Sequence, residues 1–528
     1  MRPAYIITAG FIAALAIVAI ALRPPPQILQ VATPAGTPGA QDSAAVRQAP
    51  APLPLRIVTD HVAEIGGERI DYRVIAGETV LRDLAGEPVA SVFSFAYMKT
   101  NPADRARPVL FVFNGGPGSS SLWLHMGAIG PRRVALDQEV NPGNTPPFGV
   151  ANNPHSLLDV ADLVFIDPVG TGFSRAIGKG KPEDFWGVDE DANAVAQFIE
   201  LWLTEHGRWN APKFIMGESY GSARAAMLPR ALMGGPFYTG VMRGITVNGV
   251  ILLGTTLEGR GENGARLAAE DKAMEAALVL PGLAATAWFH EKVDRRGLSL
   301  PAFYEEAMAF AKTRYAEALR AAEAGALDGD ARAEVVRTLV SYTGLPEEAF
   351  EEELGLSASS FAKKLLAEEG LAIGLYDSRY TLPLANSGGD PVADDPAMGR
   401  YVPGFIAAFH QMLRDDLKVT LDRPYGAIVW KDLLQKWNWS RAGVEKGQSF
   451  AVDLAWAMRR TPKLRVLIAS GYYDLVTTPA EARSALAEAD LPADRVEFRI
   501  YESGHMLYLG DTAESFANDV RRLIETAR

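Results

Sequence analysis

Three side chains far apart in the sequence have the types needed for nucleophilic acyl transfer: Ser219, Asp474 and His505. A serine hydroxyl is a poor nucleophile until an imidazole takes its proton. That imidazole in turn needs a carboxylate to hold its tautomer and stabilise its charge. Ser219 stands in Gly217-Glu218-Ser219-Tyr220-Gly221, a Gly-x-Ser-x-Gly turn. Phe214 to Met216 before it are strand formers, and Ala223, Ala226, Met227 and Leu228 after it give a helix an apolar face. That strand-turn-helix setting is the one in which flanking glycines let a strained serine project above a parallel sheet. Asp474 closes Ser470-Gly471-Tyr472-Tyr473-Asp474 after the apolar run Leu464 to Ala469, and His505 closes Glu502-Ser503-Gly504-His505 after Arg495 to Tyr501. Each residue therefore falls just past the C-terminal end of a predicted strand, where open α/β sheets bind ligands.

A fourth element completes the chemistry. Val109 to Phe113 reads as a buried strand running into Asn114-Gly115-Gly116-Pro117-Gly118-Ser119-Ser120-Ser121. A glycine-rich loop in that place can supply one backbone N–H to a tetrahedral oxyanion, the other coming from the residue after the nucleophile, Tyr220. The remaining histidines, His61, His125, His155, His206, His290 and His410, read as surface or packing residues. Pro168-Val169-Gly170-Thr171-Gly172-Phe173 with Gly178-Lys179-Gly180 fails as a phosphate cradle, because Phe173 stands where a glycine is required and Gly180 follows the lysine where Ser or Thr is needed.

The elements that must position these groups alternate. Strands at Ala161 to Asp167, Lys213 to Met216 and Ile245 to Leu253 are interleaved with a helix from Val188 to Leu203 that carries Ala192, Val195, Ile199 and Trp202 on one face. This alternation predicts an α/β fold with a mostly parallel central sheet, and the order Ser, Asp, His is that of an α/β-hydrolase. Two alternating segments, Arg69 to Val74 and Val89 to Tyr97, predict antiparallel strands at a sheet edge. Between residues 259 and 439 the pattern turns helical, for example Phe303 to Ala322 with Met308, Tyr315 and Leu319 in register. The reading is a helical cap inserted into a catalytic domain of residues 55–258 and 440–528. Within it, Tyr376-Asp377-Ser378-Arg379-Tyr380 is a candidate pocket lining.

The 528 residues carry a net charge of −12, no cysteine and no long basic run, which argues against a nucleic-acid partner and excludes disulfides, cysteine-ligated metal and thiol nucleophiles. No metal site and no cofactor is predicted, since neither a His-Glu-x-x-His helix nor another ligand cluster occurs. Arg2 precedes an uncharged apolar run from Ala4 to Leu22, and residues 1–22 read as a signal peptide or a membrane anchor. Residues 23–54 read as a Pro/Ala-rich linker, and the rest of the chain as extracytoplasmic. The oligomeric state is not legible.

With these residues in place the chain resembles the serine carboxypeptidase family of α/β-hydrolases. The matching segments are Asn114 to Gly118, Asn153-Pro154, Asp167 to Ser174, Gly217 to Gly221, Gly471 to Asp474 and Gly504-His505-Met506. The resemblance implies a peptidase that removes single residues from peptides with a free C-terminus. It implies Ser219, Asp474 and His505 as the triad, the N–H groups of Gly116 and Tyr220 as the oxyanion hole, and Asn114, Gly115 and Glu218 as binders of the terminal carboxylate. A glutamate suits that last role only if it shares a proton with the substrate carboxylate, which predicts activity favoured at acidic pH. Ser119 stands where the family often has cysteine. An esterase or acyltransferase on the same scaffold and a non-catalytic binding protein are the alternative readings.

Overall fold

The computed structural model describes residues 54–101, 103–237, 239–260, 271–386, 389–445 and 447–528. The predicted signal or anchor at 1–22 and nearly all of the linker at 23–54 lie outside the described residues. Among the described residues no helix is long and apolar enough to cross a membrane.

Along the chain the strands of the main sheet are β1 (Arg56–Ile65), β2 (Glu68–Arg82), β3 (Pro88–Lys99), β4 (Val109–Phe113), β5 (Asp162–Ile166), β6 (Lys213–Glu218), β7 (Gly249–Leu253), β8 (Arg465–Gly471) and β9 (Val496–Tyr501). The central strands β4 to β7 are buried on both faces, as parallel strands covered by helices require, while β1, β2 and β9 are partly exposed. Their spatial order is β1-β2-β3-β5-β4-β6-β7-β8-β9, with the short pair Arg175–Ala176 added against β3. The pairings from β1 through β3 to β5 are antiparallel, and all those from β5 to β9 are parallel. The fold is that of an α/β-hydrolase, with the antiparallel edge where the alternating segments predict it.

The period-2 rule sorts the core. Val109, Phe111 and Phe113 of β4 face one hydrophobic cluster with Ile215, Val250, Leu252, Val466 and Ile468. Leu110 and Val112 face the other, with Phe214, Met216, Ile251, Leu253 and Leu467. The first face is covered by α1 (Val188–His206), α2 (Tyr220–Met233) and the helix Ala451–Arg460. The second is covered by the helices Pro396–Asp415 and Thr512–Thr526.

The chain between β7 and β8 is largely helical and builds an apolar cluster around Leu283, Phe303, Tyr315, Leu339 and Phe361, joined by Leu475 from beyond β8, and a smaller one in which Tyr304 meets Tyr472 and Tyr473 just past β8. The helix Pro396–Asp415 does not belong to them. Its buried face, with Tyr401, Phe405, Phe409 and Met412, is continuous with the sheet cluster. The helix expected from Phe303 to Ala322 is also not uniform, because a π-helical segment at Ala311–Tyr315 separates Leu300–Phe310 from Ala316–Glu323. That turn breaks the simple 3.6-residue register while keeping both Met308 and Tyr315 buried.

Candidate active site

β6 ends at Glu218 and α2 begins at Tyr220, so Ser219 alone makes the turn, at φ 59° and ψ −131°. A side chain at this φ is strained, and the turn is held by the Ser219 N–H donating to the Leu253 carbonyl at 2.9 Å. The flanking glycine is obligatory: a Cβ on Gly217 would stand 2.0 Å from the Gly221 carbonyl oxygen. Ser219 is partly exposed in an otherwise buried stretch.

Asp474 and His505 meet across the ends of β8 and β9. His505 Nδ1 lies 2.7 Å from Asp474 Oδ2, and both residues are buried, Asp474 completely. The carboxylate is otherwise filled: Oδ1 accepts from the N–H groups of Val476 and Thr477, each at 2.9 Å, and Oδ2 accepts from the Thr477 hydroxyl at 2.5 Å. Burial pulls the His505 imidazolium down, but the attraction and hydrogen bond of Asp474, with Glu218 behind, raise it above the usual histidine value. The His505 main-chain N–H donates to the Tyr376 carbonyl at 2.7 Å, and the Tyr376 ring stands edge-on to the imidazole at 5.4 Å.

Ser219 and His505 line one cavity of about 390 Å³ together with Asn114, Gly115, Gly116, Glu218 and Tyr220. Asp474 sits behind His505 rather than in the wall. No hydrogen bond joins Ser219 to His505, so the two face the same space without being tied to each other. The glycine loop packs directly on the elbow, since a Cβ on Gly115 would meet the Tyr220 nitrogen at 2.4 Å.

Glu218 lies almost fully buried beside Ser219. Tyr508 donates its hydroxyl to the carboxylate at 2.9 Å, and the Asn114 side-chain amide donates to the same oxygen, Oε2. Burial pushes the Glu218 carboxyl up to about 7, against the opposing pull of His505 and these two hydrogen bonds. Glu218 is therefore a carboxyl group that binds its proton near neutrality.

Several groups that the sequence does not single out shape the site. Thr477 contacts both Asp474 and His505, the latter at 3.1 Å, and Tyr508 holds Glu218. Residues 425–430 form a strap over the glycine loop. Ser120 N–H donates to the Ala427 carbonyl at 2.9 Å, and Val429 N–H to the Gly118 carbonyl at 2.8 Å. Gly172 and Gly426 exchange two more main-chain bonds. Beneath it, buried Asp167 accepts from the Ser121 N–H at 3.0 Å and from the Tyr425 hydroxyl at 2.9 Å. The strap brings Trp430 into the cavity wall. Of the expected pocket segment only Tyr376 lines the cavity; Asp377 and Arg379 are paired with each other at 2.7 Å. His125 is the packing residue expected, buried and stacked on Phe165, with burial holding it down at about 3.

Residues 86–236, which hold the glycine loop and the elbow, match a family model described as serine carboxypeptidase. Over this stretch the chain is similar to the serine carboxypeptidases. It is 31% identical over 137 residues to serine carboxypeptidase-like 8 of Arabidopsis thaliana, covering 26% of this chain and 30% of that protein. It is also 31% identical over 153 residues to a pheromone-processing carboxypeptidase of Leptosphaeria maculans, covering 29% of this chain and 22% of that protein. The aligned stretch thus spans less than a third of the length of these curated relatives. Among solved structures, a proline iminopeptidase from Mycobacterium smegmatis aligns with a TM-score of 0.33 and 14% identity over 89% of this chain and 98% of that one. That likeness adds nothing to what the strand order already gives.

Proposed function

We propose that this chain is an exported serine carboxypeptidase acting on peptides with a free C-terminus, through Ser219, His505 and Asp474. The observation that carries the reading is a buried Glu218, held between Asn114 and Tyr508 immediately beside the elbow serine, where burial pushes its carboxyl up to about 7. A substrate without a free carboxylate offers such a group nothing to share its proton with. A carboxypeptidase needs one, because a neutral carboxyl shares its proton with the terminal carboxylate of a substrate where an ionised one repels it.

In this reading Ser219 Oγ attacks the carbonyl carbon of the last peptide bond while His505 Nε2 takes its proton; Nδ1 is committed to Asp474. The developing oxyanion is met by the N–H groups of Gly116 and Tyr220, the latter held against Gly115. The C–N bond then breaks as His505 returns the proton to the leaving amine. The free amino acid departs, and water hydrolyses the acyl-enzyme by the same steps in reverse order of proton transfer. Asn114 and Glu218, with the Gly115 main chain, hold the terminal carboxylate. Residues 259–439 form the cap over this site in the proposed domain division, and the apolar run at the N-terminus directs the chain out of the cytoplasm as a signal or anchor.

The test is mass spectrometry of one peptide, with free and amidated C-terminus, incubated with the full chain and with Ser219→Ala. Stepwise shortening of the free peptide by the wild type alone is the expected result. Equal attack on the amidated form would move the assignment to an endo-acting peptidase or esterase.

A further inference from the structure

The cavity that Glu218 lines is also walled by the uncharged side chains of Trp123, Met398, Tyr401 and Met506, and all four belong to the hydrophobic cluster on that face of the sheet. They are braced from behind. Trp123 and Tyr401 both pack on Phe405, with ring centroids at 5.5 and 6.1 Å, and the Tyr401 hydroxyl donates to Met398 Sδ at 3.1 Å.

The carboxylates near this wall are already committed. Asp395 accepts from the N–H groups of Leu375, Ala397 and Met398, and Asp377 is paired with Arg379. Glu218 itself is held by Asn114 and Tyr508. Among the described residues Arg260 is the one arginine or lysine lining the cavity, and its guanidinium lies over Trp439, 5.6 Å from the ring centroid.

Building on the carboxypeptidase reading, we propose that the residue this enzyme releases is large and uncharged, of the phenylalanine, leucine or methionine class, its side chain seated against Trp123, Met398, Tyr401 and Met506. The two ends of such a residue are served by different neighbours: its carboxylate by Asn114 and Glu218, its side chain by the aromatic and thioether wall. A lysine or arginine would bring a cation to a wall whose nearby carboxylates are spent, and an unpaired charge in such a place is strongly disfavoured. An aspartate or glutamate would add a second negative charge close to the bound terminal carboxylate and Glu218. Alanine or glycine would leave the wall uncovered and forgo its contact.

Rates of release from peptides that differ only in the last residue, Phe, Leu, Ala, Lys or Asp, test this, each peptide being supplied with a free and an amidated C-terminus. The expected kcat/KM for Phe and Leu exceeds that for Lys and Asp by about 100-fold and that for Ala by about 10-fold. Met398→Ala is expected to shrink the Leu-over-Ala ratio by at least about 3-fold; the wild-type series decides the matter alone should that variant fail to fold. Release of Lys or Asp as fast as Phe from free-ended peptides overturns the proposal and leaves the carboxypeptidase reading standing. Indifference to amidation overturns both.

Discussion

Arg224, one turn into α2, donates from Nη1 to the main-chain carbonyl of Asn114 at 2.7 Å, while its Nε donates to Asp191 of α1 at 2.6 Å. One almost wholly buried guanidinium thus ties the elbow helix to the loop that carries the proposed carboxylate binders, with its face over the rings of Phe113 and Tyr220. Removing it strands Asp191, whose carboxyl burial already raises. Arg224→Ala is expected to lose about 3–5 kcal/mol of stability, the cost of leaving one partner of a buried ion pair. Urea unfolding measures this. A loss below about 1 kcal/mol would show that the pair does not hold the loop.

Glu218 is expected to make stability fall as pH rises, which is unusual for a carboxylate. Its folded-state value of about 7 lies above the ordinary 4.5, so the native state holds the proton more tightly than the unfolded chain does. The stabilising term is full below pH 4.5 and is lost as pH rises toward 7, amounting to roughly 3 kcal/mol. Glu218→Gln removes the titration. Its stability relative to wild type should therefore rise by that amount between pH 4 and pH 8, read from paired denaturation curves.

The same carboxyl is expected to set the pH dependence of the proposed catalysis. For a free-ended peptide kcat/KM should fall as pH rises through about 7, mainly through KM, as Glu218 ionises and repels the substrate. Neutral Glu218 also withdraws its share of the charge that raises His505, which lets the imidazole act as a base at lower pH. With Glu218→Gln the fall near pH 7 should vanish while the weaker overall binding remains. A wild-type profile flat or rising from pH 5 to 8 would contradict proton sharing.

Asp474 holds His505 by one oxygen and spends the other on the turn that follows β8. Asp474→Asn keeps the shape but reverses the hydrogen-bond polarity at Nδ1, presenting the wrong tautomer to Ser219. A loss of about 10³–10⁴-fold in kcat with little change in KM is expected. Steady-state kinetics resolves the two.

Gly115→Ala would force a Cβ to within 2.4 Å of the Tyr220 nitrogen, main chain that cannot yield without opening the elbow. The expected result is a loss of kcat of about 10²-fold or more, as when an oxyanion donor is displaced. Full activity in a folded Gly115→Ala protein would remove Tyr220 N–H from the proposed mechanism.

What could be read from the sequence was what local chemistry dictates. A five-residue apolar run ending in glycines has few alternatives to a doubly covered strand, so Val109 to Phe113 and Phe214 to Met216 announced both their strands and the turns beyond them. The elbow needed no long-range information, because its strain is local. Tyr508 and Thr477 were invisible for the opposite reason: Tyr508 meets Glu218 across 290 positions, and no spacing rule links them. The strap at 425–430 is likewise held by pairing with residues near 118–120 and 172, contacts that composition does not encode. The π-helical segment at Ala311–Tyr315 escaped because a one-residue excess leaves the same residues apolar.

That strap carries a consequence for how this protein can be altered. Its backbone is stitched to the floor of the cavity through Gly118, Ser120 and Gly172, and Tyr425 anchors it from below. An engineer who exchanges the outer helices for those of another hydrolase can do so freely only on either side of Tyr425 to Trp430. Carried off with the graft, that short ribbon would take a side of the binding chamber and the brace of its floor with it.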